Sequence, residues 1–218
     1  LTWAVPPALL EERLPPGCVL DTHDGRAFVS LVAFEFLQTR VFGVRWPGHT
    51  NFAELNLRFY VRRDGERGVV FIREFVPKRL IAWMAWWLYN EPYHAAPVTA
   101  HRHDAAGTFS MEYRLRYADR FHTIRATGTK PAVRPGPESD EHFFKEHQWG
   151  FGTTRDGVAL RYQVQHPEWD VWPVSSHSLD FDFSAVYGPE WGFLGSQPPM
   201  SAVLAAGSPV SVFPKGRA

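Results

Sequence analysis

Residues 51–61, NFAELNLRFYV, alternate from Glu54 onward, with Glu54, Asn56, Arg58 and Tyr60 on one side of an extended chain and Leu55, Leu57, Phe59 and Val61 on the other. A period of two fits a strand and not a helix. Two arrangements satisfy it. In the first, a half-buried strand turns its polar side to water. In the second, a β-barrel strand packs its apolar side under covering elements and aims Glu54, Asn56 and Arg58 into a cavity. Periodicity alone does not choose between them.

The next strongly patterned stretch begins at Pro77, which opens an expected helix over 78–89. Leu80, Trp83, Met84 and Trp87 fall on one side of it and Ile81, Ala85 and Leu88 on another, so the helix is apolar nearly all round and belongs in the interior. Asn90 can end it in a left-handed conformation, and Pro92 prevents its continuation. Pro92-Tyr93-His94 then forms a turn of the kind that holds side chains rigidly over a cavity.

A chain of 218 residues is long enough to bury a substantial core without disulfides or metal, and one domain over 1–218 is expected. Lys plus Arg and Asp plus Glu are 23 each, so no net charge draws the chain to nucleic acid or to an anionic membrane, and neither is expected as a partner. The single cysteine, Cys18, follows Pro15-Pro16-Gly17 and reads as a packed, inert thiol. The first ten residues lack a basic region followed by an apolar one, and the longest apolar run, 80–88, is too short to span a bilayer. A soluble cytoplasmic protein is the expectation. Nine Trp, seventeen Phe and seven Tyr suit β-structure and a large lined interior.

Along the rest of the chain, Pro6-Pro7 opens a short surface helix that Pro15-Pro16-Gly17 stops. Residues 19–21 and 27–37 read as a hairpin about His23-Asp24-Gly25, and 54–63 and 68–75 as a second about Asp64-Gly65. The stretch 108–117 alternates as a strand with one wet face, 122–129 is its expected partner, and 130–138 is a proline-rich loop. Ser139 caps a helix expected through His147. A third hairpin joins 149–154 to 158–166, an aromatic loop covers 166–174, a strand is expected at 179–183, and short strands are expected near Val203 and Val210.

Motifs for serine hydrolases, phosphate-binding loops, dinucleotide folds and zinc proteases are absent, and no cofactor is implied. His101 and His103 lie in HRHDAAG, which reads as a loop. Two histidines fall short of the three or four ligands a metal needs, so no metal site is expected. His94 is a candidate acid or base, and Tyr93 a candidate hydrogen-bond donor to a carbonyl oxygen. Each equally well packs and satisfies its own polar tip.

Four segments, PALLEERLPPGCVLDTHDGRAFVSLVAF, NFAELNLRFYV, NEPYHAA and HPEWDVWPV, together resemble the YqjF-like family of uncharacterised bacterial proteins over nearly the whole chain. That family is grouped with the acetoacetate decarboxylase-like fold. The resemblance implies a mainly β (α+β) architecture, a mixed β-barrel with a few peripheral helices and a ligand cavity inside. In the decarboxylases a strand bearing Tyr-x-Glu supplies one glutamate, and a later G-R-E-x-x-x-x-P-K-K stretch supplies a second together with a Schiff-base lysine. Asn51-Phe52-Ala53-Glu54 resembles the first element, so Glu54 carries over. Counting back from Pro92, the second glutamate position falls on Trp87, and the lysines on Tyr93 and His94. Imine formation needs an amine, which neither a phenol nor an imidazole offers, so decarboxylation by that route is excluded.

The expected site therefore comprises Glu54, His94 and Tyr93 as catalytic candidates, and Asn56, Arg58 and Trp87 as ligand-binding candidates. In an enzyme acting on a small carbonyl- or carboxylate-bearing metabolite, Arg58 would hold an anionic group, Glu54 or His94 would move a proton and Tyr93 would polarise a carbonyl. The alternatives are a non-catalytic small-molecule binding or sensing module and a structural subunit. Trp169, Trp172, Trp191 and Phe193, in segments broken by proline and glycine, suggest either a homodimer that covers them or rings that plug the barrel ends.

Overall fold

The structure is a computed structural model that describes residues 1–37, 51–77, 93–208, 210–213 and 216–217. The helix expected over 78–89, and Trp87 with it, lies outside the described residues.

The first two-thirds of the chain is dominated by strands: β1 (Thr2–Val5), β2 (Val19–Leu20), β3 (Ala27–Phe36), β4 (Phe52–Arg63), β5 (Glu66–Val76), β6 (Tyr93–Ala95), β7 (Val98–Ala105), β8 (Thr108–Tyr117) and β9 (Arg120–Thr129). A short helix, α1 (Ala8–Glu11), sits behind Pro6-Pro7 as expected. After β9 come α2 (Asp140–Lys145), β10 (Trp149–Thr153), β11 (Ala159–Gln165), β12 (Val174–Asp180) and α3 (Phe183–Tyr187). A 3-10 segment (Pro189–Ser196) and the two-residue strands β13 (Ser211–Val212) and β14 (Gly216–Arg217) complete the order.

Among the described residues, ten strands form one mixed sheet in the order β1-β3-β4-β5-β10-β11-β13, with β2 on β4, β6 on β5 and β14 on β11. The other four form an antiparallel sheet, β12-β9-β8-β7. Among the described residues neither sheet closes on itself, so the mainly β, mixed character is present without a closed barrel. The main core lies between the sheets, where Leu55, Leu57, Phe59 and Val61 of β4 join Val98, Leu115 and Ile124 of the small sheet and Phe183, Tyr187 and Trp191.

The β4–β5 hairpin turns where the sequence predicts. Asp64 and Gly65 both have positive φ, 50° and 83°, which is the twist a two-residue hairpin turn requires. Parallel pairing of β5 with β10 depends on Gly68, where an added Cβ would stand 2.5 Å from the Trp149 carbonyl oxygen. Hairpins β8–β9 and β10–β11 also form as read. Ser139 caps α2, its Oγ accepting from the His142 amide at 3.2 Å, although the helix ends at Lys145.

Three local expectations are corrected. The strand at 19–20 does not pair with β3; it takes up the edge of β4 that β3 leaves beyond Phe59, with Val19 opposite Arg62. HRHDAAG is mostly strand, because β7 pairs with β8 along its whole length and its polar residues lie on an exposed sheet edge. The strand expected at 179–183 ends at Asp180. Asp182 then caps α3, its carboxylate accepting from the Ala185 amide at 3.0 Å.

The aromatic rings that suggest self-association are packed within the chain. Trp191 is fully buried, Trp172 stacks on Phe109 at 4.0 Å and Trp169 on His166 at 4.0 Å, and Phe193 packs on the main core. Cys18 is free and buried, and burial pushes its thiol up. No helix among the described residues is long and apolar enough to cross a membrane.

A buried acid pair on the polar face of the fourth strand

Both faces of β4 are covered. Its apolar row enters the main core, while the polar row lies on the opposite side and is no less enclosed: Glu54 is 1% exposed and Asn56 0%. Aromatic clusters bracket this row. Phe28, Tyr60, Val69, Phe143 and Phe144 pack at one end, and Phe52, Val76, Phe36 and Tyr93 at the other. The water-facing alternative is thereby removed.

Strand register sets what meets Glu54. A β-bulge between Leu57 and Arg58 shifts the β4–β5 pairing by one residue, so that Asn56 stands opposite Glu74. In parallel pairing with β5, β6 then sets Tyr93 opposite Glu74. Successive strand residues alternate sides, so Glu54, Asn56, Glu74 and Tyr93 share one face and His94 takes the other. Asn56 Nδ2 donates to Glu54 Oε1 at 2.9 Å and the Tyr93 hydroxyl to Oε2 at 3.0 Å. The Glu74 carboxyl, 1% exposed, lies near enough on the same face to act on Glu54.

Two carboxyls side by side and away from water disfavour ionising both. Burial accordingly raises the pKa of Glu54, and the hydrogen bonds from Asn56, Glu74 and Tyr93 and the field of Arg58 only partly offset it. A buried carboxyl beside a second one and flanked by a phenol is an arrangement that can give or take a proton. The floor is closed but its rim is not: Val32 and Phe34 of β3, Phe71 of β5 and Tyr93 are all half-buried on this face.

Arg58 lies further along the row, its Nη2 donating to the Phe144 carbonyl at 3.1 Å. His94 is exposed and sits 5.8 Å from the Phe75 ring, its pKa lowered by burial and by Arg73. Glu54, Tyr93, Asn56 and Arg58 thus share one face, His94 does not join them, and Trp87 is not described. Two residues escape the sequence reading. Glu74 is a lone acid in the apolar run FIREFV, signalled by that context but assigned to no face until the bulge is known. His147, 7% exposed, packs its ring 4.9 Å from Tyr60. Two concavities, of about 510 Å³ beside α1 and Phe193 and about 260 Å³ beside Arg62 and Ser139, lie away from the acid pair.

Over 106 residues the chain is 32% identical to the uncharacterized protein YqjF of Bacillus subtilis (strain 168). The match covers 48% of this chain and 43% of that protein, so it spans less than half the length of the curated relative. Acetoacetate decarboxylase from Legionella pneumophila has a similar structure, with TM-score 0.61, 15% identity, and coverage of 98% of this chain and 78% of that one. The enduracididine biosynthesis enzyme MppR, solved with pyruvate, gives TM-score 0.62 at 16% identity, covering 98% of this chain and 82% of that one. At such identities the likeness speaks for the fold. Residues 1–209 match the family of uncharacterized conserved proteins called DUF2071, so the chain belongs to that family, built on an acetoacetate decarboxylase-like fold.

Proposed function

We propose that the protein acts on a small carbonyl- or carboxylate-bearing metabolite by proton transfer at the Glu54–Glu74 pair. The observation that carries this reading is the pair itself: a glutamate 1% exposed, hydrogen-bonded to the Tyr93 phenol, with a second buried carboxyl, Glu74, on the same face. Its ionised member would take a proton from the carbon next to a ketone while Tyr93 turns its hydroxyl to the ketone oxygen. Arg58, along the same face, would hold a carboxylate of the substrate.

A Schiff-base route has no support. Tyr93 is no amine, and the described lysines Lys130 and Lys145 are paired with Asp104 and Glu146. The pyruvate held by the MppR structure supports a 2-oxo acid as the first class to try. The proposal includes a barrel closed around this face, for which the burial of both sides of β4 is the support.

The test is deuterium exchange at the carbon next to the ketone of a panel of 2-oxo acids, followed by proton NMR in D2O. Exchange above buffer with the native chain, slowed about 100-fold or more by Glu54→Gln, is the expected result. A rate that Glu54→Gln leaves unchanged would remove Glu54 from the chemistry. A non-catalytic binding module is the second reading. It is favoured by the engagement of both Glu54 oxygens, and it predicts a copurifying small molecule with no exchange on any substrate.

A further inference from the structure

The polar face of β4 does not end at the acid pair. Four residues on from Glu54, about 13 Å along the strand, Arg58 and Tyr60 converge on the carbonyl of Phe144, the first by Nη2 at 3.1 Å and the second by its hydroxyl at 3.3 Å. His147 follows shortly in the chain and lays its ring against that of Tyr60, with centroids 4.9 Å apart. Two features of this corner are unusual for a folded protein.

First, His147 is 93% buried, yet neither ring nitrogen finds a hydrogen-bond partner among the described residues; the Nε of Arg58 is likewise buried and unmatched. Buried polar atoms are nearly always satisfied, so groups left without a partner in the free protein call for one, whether a water, an ion or a ligand. Second, one cation of this corner lacks a carboxylate partner. Arg67 is taken up by Asp21 at 2.6 Å, whereas Arg58 has no ion pair among the described residues. Arg58 and Arg67 both act electrostatically on His147. Burial and those neighbours keep the imidazole neutral, so it presents one N–H donor and one acceptor.

We propose that Arg58 and His147 form a carboxylate-binding subsite at the far end of the site, and that His147 is a ligand-contacting residue. The open Nε edge of Arg58 matches a planar carboxylate, and the imidazole N–H supplies a further donor from the side. Resting on the reading of this face as a small-molecule site, the subsite defines the ligand: an acid whose carboxylate lies at Arg58 and whose reacting carbon reaches toward Glu54.

The experiment follows the ring resonances of protein labelled with 15N-histidine at pH 7 while acetate, and separately inorganic phosphate, is added. Saturable movement of the His147 signals by acetate is expected, with affinity falling about tenfold or more in His147→Phe and in Arg58→Gln. His147→Gln serves if His147→Phe fails to fold, and the native titration stands without either. Silence of His147 to acetate would mean a corner filled by water and would overturn the proposal. A response to phosphate alone would overturn the carboxylate assignment. Glu54→Gln should bind acetate within about twofold. Retained acetate binding without Glu54-dependent exchange would therefore defeat the catalytic reading and spare the subsite. Exchange that needs Glu54 while His147 ignores acetate would do the reverse.

Discussion

β4 and β8 read alike. Each alternates polar and apolar residues, each carries a glutamate on its polar row, and each sends a leucine of its apolar row into the main core, with Leu57 and Leu115 both fully buried, although Phe109 and Met111 of β8 pack in a separate cluster. They part on the other side. Glu112 of β8 is flanked by Arg114 and Arg125, both about half exposed, and these arginines hold its carboxyl below the usual glutamate range. Glu54 of β4 has amide, phenol and carboxyl neighbours in place of a contacting cation, and burial drives its pKa the opposite way. The same alternating pattern thus yields an arginine-paired glutamate in one sheet and a buried glutamate beside a second acid in the other. What covers the polar row decides which.

The largest expected effect tests whether the apolar rows really are equivalent. Leu57→Ala and Leu115→Ala should each cost about 2–5 kcal/mol in denaturant unfolding, since both empty a fully buried site. A cost under 1 kcal/mol at either would mean that the two strands do not share the core described above.

The polar rows should then respond to pH with opposite sign. A raised folded pKa means that the folded chain binds protons more tightly than the unfolded one, so the Glu54 contribution is complete below the ordinary value of 4.5 and is lost as pH rises through the folded pKa. Native protein should lose stability relative to Glu54→Gln over that window, with a slope of at most about 1.4 kcal/mol per pH unit. Glu112 behaves conversely. Its contribution is present above 4.5 and disappears as pH falls through its lowered folded pKa. Glu112→Gln should cost about 1 kcal/mol or less at pH 7, because the arginines are solvent-screened, and nothing in strong acid. Urea titrations of the three proteins across pH 3–8 measure both. Parallel curves for the two variants would erase the distinction.

Much of this frame is legible in the sequence and some of it cannot be. The strands, the Asp64-Gly65 turn and the two faces of β4 follow from local sterics and period. Glu54, Asn56 and Arg58 fall on one face for the same reason. Glu74 escapes because its side is set by a single bulged position, and without that bulge it would face Leu55 and the core. Adjacency in the sequence groups His94 with Tyr93, but adjacency within the extended β6 places them on opposite faces. His147 lies far along the chain from Arg58 and Tyr60, and only tertiary packing brings it beside them. The arginine pairing of Glu112 likewise depends on the β8–β9 register, which sets Arg125 opposite it.

The smallest predicted effect is also the sharpest, because it isolates one hydrogen bond of the acid pair. Tyr93→Phe keeps the ring that packs with Phe52 and Val76 and deletes only the hydroxyl that donates to Glu54 Oε2 at 3.0 Å. A half-buried bond of this kind contributes about 0.5–1 kcal/mol, so global stability should fall little. The direction of the titration carries the information. The Tyr93 hydroxyl favours the ionised carboxyl, so its loss should push the Glu54 pKa still higher and move the stability loss on the basic side to higher pH. Carboxyl-resolved infrared or 13C NMR titration of native, Tyr93→Phe and Glu54→Gln protein reads the shift directly, the last identifying the Glu54 signal by its absence. A Glu54 titration that moves down on Tyr93→Phe, or not at all, would mean that the phenol does not act on the carboxyl, and the resemblance of Glu54 to Glu112 would be closer than their surroundings imply.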